Sequence, residues 1–238
     1  KHNYIVKHIR KLAATLREAF SIANAGRKGP VLIDVPKNIQ TEQCEYEPEP
    51  PQRRAPRAVP AEAVEQAAEV LRTARRPLIV AGGGCIGADA SANLFRLADV
   101  LGAPVCSTLM GLGAFPAHDA RFLGLLGMHG SDAAAKAFRR ADTVLVCGMR
   151  FSDRVTGDRA KFRAGKTIVQ FDIDAAEIDK NVRADISVMA DVNETLKALL
   201  PLLKKQEHTE WLKEVPAYKD YGSANTDKAL PAYRILTA

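Results

Sequence analysis

The 238-residue sequence is 47% hydrophobic and carries 34 Lys and Arg against 28 Asp and Glu, which gives a net charge of +6. The basic residues are interleaved with acidic ones rather than gathered into a run, so we expect no nucleic-acid partner. No apolar run approaches the roughly eighteen residues that span a bilayer, so we expect a globular protein with no membrane segment.

The first elements in the chain are one helix and one strand. Apolar residues at helical spacing predict an amphipathic helix from Ile9 to Ala25, and the apolar run Pro30–Val35 predicts a buried strand. These two elements are not a domain by themselves. From Thr41 to Pro60 the sequence becomes polar and proline-rich, which favours an extended linker.

From Ala61 onward, helical patterns alternate with apolar strands. The predicted helices lie around 64–71, 89–101, 133–139 and 193–203, and the predicted strands at 77–81, 104–106, 143–147, 167–171 and near 187–189. Strands that lack polar alternation and are separated by helices predict an α/β fold, a doubly wound parallel sheet with helices on both faces. The stretch from His208 to Ala238 has no clear period, and we expect it to begin a further part of the protein.

A glycine-rich turn, Gly82-Gly83-Gly84-Cys85-Ile86-Gly87, follows the strand at 77–81 and matches the pattern G-x-G-x-x-G. Glycines at these positions let a phosphate approach the amides of the following helix. The acidic residue that an ordinary NAD site places about twenty positions later is missing, because Cys106-Ser107-Thr108 occupies that place. The turn therefore either contacts a ligand or is simply a tight connection.

Three segments near strand ends combine small residues, hydroxyls and cationic side chains: Ser107–Gly113, Leu126–Gly130 and Gly148–Arg154. This combination suits a large anionic cofactor with an apolar ring system. Each segment also has a structural alternative. The first is then a mobile loop, His129 a hydrogen-bonded structural residue, and the two Arg around Asp153 a surface ion pair.

Three carboxylates, Asp172, Asp174 and Asp191, follow predicted strands and could accept ribose hydroxyls or cap helices, the second use applying most to Asp174 and Asp191. No nucleophile paired with a base appears, so we predict no catalytic residue in this chain. No metal-ligand spacing appears either, so we predict no metal site. We expect reduced, mostly buried thiols of a cytoplasmic protein at the four widely spaced cysteines, Cys44, Cys85, Cys106 and Cys147.

The segments Gly26–Lys37, Ser107–Gly113, Leu126–Gly130, Arg150–Gly157 and Phe171–Asp174 together resemble the acetolactate synthase (acetohydroxyacid synthase) large-subunit family. They recur in the order of that family and at closely similar spacing. The resemblance covers nearly the whole chain, which makes it more specific than any single motif.

The resemblance implies an arrangement of domains. Members of the family have three doubly wound domains, which bind the pyrimidine of thiamine diphosphate, FAD, and the diphosphate with Mg²⁺. Residues 1–40 would then be the tail of the first domain, 41–60 a linker, 61–203 the central FAD-binding domain, and 204–238 the lead into the third.

The resemblance also implies site residues. Positions that match the substrate channel of the family are Lys37, Met128, Asp153 and Arg154, and Arg154 would attract the carboxylate of a 2-keto acid. Positions that match FAD contacts are Arg27, Gly83, Thr108, Leu109, Leu126, Gly127, Met128, His129, Gly148, Met149, Arg150, Phe151, Ser152, Asp172, Ile173, Asp191 and Val192.

The sequence departs from the family pattern at three positions: Lys28 replaces a proline, Ser152 an aspartate and Ala190 a glycine, which bears on local flavin contacts. The glutamate that activates thiamine diphosphate would lie before Lys1, and the Gly-Asp-Gly metal-diphosphate motif after Ala238. The first residues, Lys1-His2-Asn3-Tyr4, are neither an initiator Met nor a signal peptide, so we expect a fragment.

The implied parent enzyme decarboxylates pyruvate and condenses the two-carbon unit with a second 2-keto acid in branched-chain amino acid biosynthesis. Its FAD is structural, and at full length we expect a homo-oligomer with a regulatory subunit, while the isolated fragment is expected to be inactive. Two alternatives remain open. One is a flavin-dependent oxidoreductase of the pyruvate oxidase type, and the other is a stand-alone nucleotide-binding module.

Overall fold

The computed structural model describes residues 1–50 and 57–219. The chain forms two compact units, Lys1–Ala58 and Val59–Ala238, whose boundary falls within the predicted linker. The first unit contains β1 (His2–Ile5), a 3₁₀ turn (Ile9–Lys11), α1 (Leu12–Asn24), β2 (Val31–Asp34) and α2 (Lys37–Thr41). Strands β1 and β2 pair in parallel, with His2 opposite Val31 and Ile5 opposite Asp34.

The prediction that the strand at Pro30–Val35 is buried is wrong for this structure. Residues of β2 alternate between half-buried and exposed, and Leu32 is 64% exposed. The reason is that the sheet of the first unit has only two strands, so little protein covers its faces. Strand β1 was not predicted because His2 and Asn3 interrupt its apolar pattern.

The second unit begins with α3 (Ala61–Thr73), β3 (Pro77–Ala81), the short helix α4 (Gly83–Gly87), α5 (Ser91–Leu101) and β4 (Val105–Ser107). A 3₁₀ turn (Leu109–Gly111) precedes the next elements, which are β5 (Phe122–Leu125), α6 (Asp132–Arg140), β6 (Thr143–Cys147), α7 (Asp153–Thr156) and α8 (Arg159–Arg163). The last elements are β7 (Thr167–Asp172), β8 (Ile186–Met189), α9 (Val192–Leu199) and α10 (Thr209–Lys219), with 3₁₀ turns at Ala175–Glu177 and Leu200–Leu202.

The six strands of the second unit form one parallel sheet in the order β5-β4-β3-β6-β7-β8. This confirms the doubly wound α/β fold. Successive residues of β3 point to opposite faces, so that Leu78 and Val80 enter one core, and Ile79 and Ala81 enter the other. The direction of chain winding reverses between β3 and β6, and doubly wound folds bind ligands beyond the carboxyl ends of the strands at such a reversal.

Local sequence signals explain where the helices around this sheet begin and end. Ser131 accepts a hydrogen bond from the Ala134 amide at the start of α6, and Asp191 does the same for two amides at the start of α9. Helix α5 ends at Gly102, whose φ of 54° is the left-handed conformation that glycine adopts at little cost. The predicted helix at 193–203 is α9 followed by a 3₁₀ turn.

Besides the short helices α4, α7 and α8, strand β5 and helix α10 of the second unit were not predicted. Strand β5 lies at the edge of the sheet and contains Gly124 at a φ of 84°. Helix α10 packs its Trp211 and Val215 into the core beside α6, and the Trp211 Nε1 donates to the Pro77 carbonyl at 2.9 Å. Up to Lys219, residues beyond 203 thus share a core with the sheet, and their role as a lead into a further domain stays a prediction.

Candidate functional site

The three segments singled out in the sequence lie side by side at the carboxyl edge of the sheet. The Leu126 amide donates to the Ser107 carbonyl at 2.9 Å, and the Met128 amide donates to the Arg154 carbonyl at 2.8 Å. The Thr108 amide in turn donates to Ala81 at the end of β3, at 2.9 Å. These bonds connect residues 107–113, 126–130 and 148–154 into one continuous surface, which we call the cradle.

The glycine-rich turn after β3 packs against the loop after β6. The Gly84 amide donates to the Gly148 carbonyl at 3.0 Å, and a Cβ added at Gly82 would lie 2.1 Å from that carbonyl oxygen. A Cβ on Gly148 would lie 2.5 Å from the Gly84 Cα, and Gly148 has a φ of 61°. Gly82 and Gly84 therefore serve a contact within the protein, which argues against the ordinary dinucleotide mode in which these glycines approach a pyrophosphate.

The loop after β6 continues with Arg150, whose side chain is exposed, and Phe151, whose ring is buried. Arg150 is exposed and its guanidinium has no partner among residues 1–50 and 57–219, while its carbonyl accepts a 3.3 Å hydrogen bond from Asn181. Phe151 is 1% exposed and has a φ of 50°, which is uncommon for an aromatic residue and concentrates at functional sites. The Phe151 ring meets Phe162 of α8 edge-on at 6.0 Å.

A second cation follows on α7. The Arg154 guanidinium lies 3.6 Å from the Asp153 carboxylate, and both side chains are about three-quarters exposed, at 73% and 75%. This is the surface ion pair that the sequence left as an alternative for these residues, and in this position it also borders the exposed Met128 and His129. An exposed pair is weakly held, so that an anionic ligand could recruit the guanidinium.

Part of the surface of the cradle consists of apolar side chains that are exposed to solvent. Leu109 is 71% exposed, Met110 74% and Met128 67%, an unusual concentration of exposed apolar surface. In the same cradle, the Ser107 hydroxyl is buried and has no hydrogen-bond partner among the residues that the structure describes, which costs free energy unless a further polar group supplies one. Apolar cover, an unmatched guanidinium and an orphaned hydroxyl together fit a ligand such as FAD, which combines a flat ring system with an anionic diphosphate.

The aspartates at this edge have structural roles that are visible in the chain itself. Asp191 accepts hydrogen bonds from the amides of Asn193 and Glu194 at 2.9 and 3.1 Å, and Asp174 accepts one from Ala176 at 3.1 Å. The side chain of Asp172 accepts a hydrogen bond from the Asp174 amide at 2.9 Å. Helix capping is thus observed for Asp174 and Asp191, and contact with a ribose stays a prediction for Asp172 and Asp191.

Arg121, which the sequence analysis did not single out, precedes β5 and therefore lies at the amino edge of the sheet, opposite the edge that carries the cradle. Its guanidinium donates to both carboxylate oxygens of Asp119, at 2.9 and 2.8 Å, and lies over the rings of Phe95 and Phe115. Hydrogen bonding to Asp119 raises the pKa of Arg121. The spacing Asp-x-Arg before β5 was the available signal, and the ion pair ties Arg121 to Asp119 at the start of β5.

Two predicted site residues, Arg27 and Lys37, belong to the first unit, and both are exposed there. The remaining positions predicted as flavin contacts lie in the second unit. The main chain of Gly127 approaches Arg154 so closely that a Cβ would lie 2.6 Å from its carbonyl oxygen, while Met149 and Val192 are buried in the core. The half-buried Ser152 precedes α7, and Ile173 directly follows β7.

The cysteines of the second unit are core residues. Cys85, Cys106 and Cys147 are buried, Cys44 is exposed, and all four are free thiols, as the sequence predicted. Burial raises the pKa of the Cys106 thiol to about 12, and a hydrogen bond with Cys85 together with burial raises that of Cys147. Neither thiol is therefore a nucleophile at neutral pH.

The described part of the chain contains no group of three or more His, Cys, Asp or Glu placed to hold a metal ion. Within the same residues, no helix is both long and apolar enough to cross a bilayer.

The fold of the second unit agrees with that of a known family. The family model described as "Thiamine pyrophosphate enzyme, central domain" matches residues 64–199, which include the whole sheet. The chain belongs to the thiamine pyrophosphate enzyme family. Residues 64–199 correspond to the central domain of that family.

Relatives within this family are named as acetolactate synthases. The chain is 41% identical over 225 residues to a probable acetolactate synthase large subunit of Methanocaldococcus jannaschii. The aligned region is 90% of this chain and 38% of the relative. It is 41% identical over 213 residues to acetolactate synthase 2, chloroplastic, of Nicotiana tabacum. The aligned region is 87% of this chain and 32% of that relative. For the acetolactate synthase isozyme 1 large subunit of Escherichia coli the identity is 39% over 213 residues. The aligned region is 89% of this chain and 38% of that relative.

These matches confirm the resemblance to the acetolactate synthase large-subunit family that the sequence motifs indicated. The chain spans 32% to 38% of the length of these relatives.

Proposed function

We propose that this chain is the FAD-binding part of the catalytic subunit of an acetolactate synthase, and that it also forms part of the substrate channel. The observation that carries the proposal is the cradle, where three loops meet at the reversal of the sheet and present the unpartnered Arg150 beside exposed apolar side chains. A diphosphate needs a guanidinium, and a flat ring system needs apolar cover. The relatives at about 40% identity supply the class of reaction.

In this proposal Arg150 holds the diphosphate of FAD, because its exposed guanidinium belongs to the loop that follows β6, one of the two strands at the reversal. Backbone groups of Thr108, Leu109 and Gly127 bind the flavin along the cradle. Asp172 and Asp191 use carboxylate oxygens toward ribose hydroxyls while keeping their present hydrogen bonds to amides, since one carboxylate accepts several bonds. FAD is a structural partner here, and thiamine diphosphate with Mg²⁺ supplies the carbanion chemistry in the whole enzyme.

The second face of the cradle takes part in the substrate channel. Arg154, which only Asp153 partly neutralises, attracts the carboxylate of pyruvate or of the second 2-keto acid. The exposed Met128 lines the same path with an apolar, adaptable side chain. A channel role for Lys37, which belongs to the first unit, stays a prediction.

The whole enzyme would decarboxylate pyruvate and join the two-carbon unit to a second 2-keto acid in branched-chain amino acid biosynthesis. We propose that it is a cytoplasmic homo-oligomer with a regulatory subunit. The 238-residue chain alone makes no acetolactate, because the groups that activate thiamine diphosphate are not among its residues. Thiamine-dependent formation of acetolactate by the purified chain would contradict this.

The binding role of Arg150 is tested by replacing it with Gln and titrating FAD by flavin fluorescence. Loss of a charge-assisted pair with the diphosphate should weaken FAD binding by about tenfold. The matched control is Arg139→Gln, which removes an equally exposed guanidinium from the end of α6 and should leave binding unchanged. Equal affinities for the two variants would rule out the proposed contact.

Two measurements separate the alternatives. Reduction of bound flavin by pyruvate in the full-length protein would favour an oxidoreductase of the pyruvate oxidase type. Preference of the chain for NAD or an adenine nucleotide over FAD would favour a stand-alone nucleotide-binding module. The packing of Gly82 and Gly84 against Gly148 makes us expect no preference for NAD.

A further inference from the structure

A second concave surface lies away from the cradle. A groove of about 790 Å³ runs between α8 and the segment before β8. Asp142 and residues 165–167, which precede β6 and β7, form one end of it. Because the strands are parallel, that end lies at the edge of the sheet opposite the carboxyl ends that carry the cradle.

The groove is lined by four cationic side chains that come from three separate segments: Arg159, Arg163, Lys166 and Arg183. Arg163 is already occupied, since its guanidinium lies 2.6 Å from the Asp185 carboxylate. Arg159, Lys166 and Arg183 have no carboxylate within ion-pair distance in the part of the chain that the structure describes. The one carboxylate of the lining, Asp142, accepts from the amides of Arg75 and Arg76 through Oδ2, and its Oδ1 is buried with no hydrogen-bond partner among the described residues.

Lys166 is the most informative of these cations. Its Nζ donates to the Ala164 carbonyl at 3.2 Å and lies 5.0 Å from the centre of the Phe138 ring, so its charge is drawn toward an apolar surface. Burial lowers the pKa of Lys166, and no anion of the protein offsets that loss of hydration. A partly buried ammonium without a counter-ion is costly unless an anion approaches it.

We propose that this groove binds a small phosphate-bearing anion, held by Arg159, Lys166 and Arg183. A single carboxylate occupies one guanidinium fork, whereas a phosphate or diphosphate has oxygens in several directions and two or more charges. The three cations come from three separate segments around one groove. This arrangement matches a phosphate or diphosphate, whose oxygens point in several directions. The Asn181 amide and the Thr167 hydroxyl, also in the lining, add neutral polar groups.

Calorimetric titration of the 238-residue chain with inorganic pyrophosphate, at ionic strength held constant with NaCl, tests the proposal. Saturable binding is expected, and Lys166→Gln and Arg183→Gln should each weaken it by about tenfold. Lys166→Arg should restore most of the affinity because it keeps the charge. The matched control is Lys161→Gln on α8, since Lys161 is 87% exposed, pairs with Asp158 and lies outside the groove.

Pyrophosphate could also reach the cradle, so Arg150→Gln is titrated in parallel. The groove is the site if Arg150→Gln leaves pyrophosphate binding intact while Lys166→Gln weakens it, and if Lys166→Gln leaves FAD binding unchanged. Urea unfolding without ligand verifies that each variant is folded. Absence of saturable binding, equal loss in Lys161→Gln, or loss in Arg150→Gln alone would overturn the proposal.

Discussion

At the scale of single residues, the contact between Gly84 and Gly148 decides how the loops of the cradle meet. The two residues are far apart in sequence, and each lacks the Cβ that would separate their backbones. The sequence predicted that the turn after β3 needs glycine, but not that its neighbour would be the loop after β6. Such a long-range contact leaves no local pattern, because it depends on which two strands become adjacent.

Replacing Gly148 with Ala should lower the free energy of unfolding of the second unit by about 2 to 4 kcal/mol, since the new Cβ meets the Gly84 Cα at 2.5 Å and the φ of 61° disfavours a side chain. Urea unfolding followed by fluorescence of Trp211, the single tryptophan, measures this. The control is Gly87→Ala, because a Cβ there meets nothing within 4 Å. Equal stability of the two variants would show that the close approach is not formed.

The buried thiols predict a loss of stability at alkaline pH. The pKa of Cys106 is about 12 in the folded chain, against an ordinary value of 9.0, so the unfolded chain loses this proton first as the pH rises. Stability is therefore fully present below pH 9 and falls between pH 9 and 12, by about 1.4 kcal/mol per unit for one such thiol. Cys147 adds to the same trend.

Urea midpoints at pH 8 and pH 10.5 measure this dependence. Cys106→Ala should show a smaller fall between the two pH values than the wild type, whatever its stability at pH 8. Cys44→Ala, which removes an exposed thiol, should keep the full fall. If all three proteins lose stability equally, Cys106 is not the titrating group.

At the scale of elements, five of the six strands of the large sheet were predictable, and the edge strand β5 was not. Strand β3 is apolar throughout, β6 is apolar apart from Thr143, and both are buried at every position, so their sequences carry a clear signal. Strand β5 contains a glycine with positive φ, and α10 buries Trp211 and Val215 from a weakly amphipathic stretch. Both depend on packing against neighbours rather than on local pattern.

Asp191 caps helix α9 and is also one of the residues proposed to contact FAD. As the cap of α9 it accepts from two amides, so Asp191→Ala should lower the free energy of unfolding by about 1 kcal/mol, and Asp191→Ser should keep most of that stability. If Asp191 also contacts a ribose, both variants should weaken FAD binding, because Ser is shorter. Urea unfolding and FAD titration of the same two variants separate capping from binding, and unchanged FAD affinity in both would exclude the contact.

At the scale of the whole molecule, the fold class and the family were accessible from sequence because several motifs occur in order along nearly the whole chain. The meeting of the three segments at one edge follows from a parallel sheet, in which all carboxyl ends lie together. The anion groove was not predictable. Its cations are scattered among α8, the turn before β7 and the segment before β8, and only the folded chain brings them around one cavity.

The central claim, that this chain holds FAD in the cradle, is tested most directly by equilibrium titration of the purified 238-residue chain with FAD and, separately, with NAD. We expect saturable binding of one FAD per chain, with a shift in the flavin absorbance bands as the ring system enters an apolar environment, and much weaker binding of NAD. Binding of NAD in preference to FAD, or no saturable binding of FAD, would contradict the account.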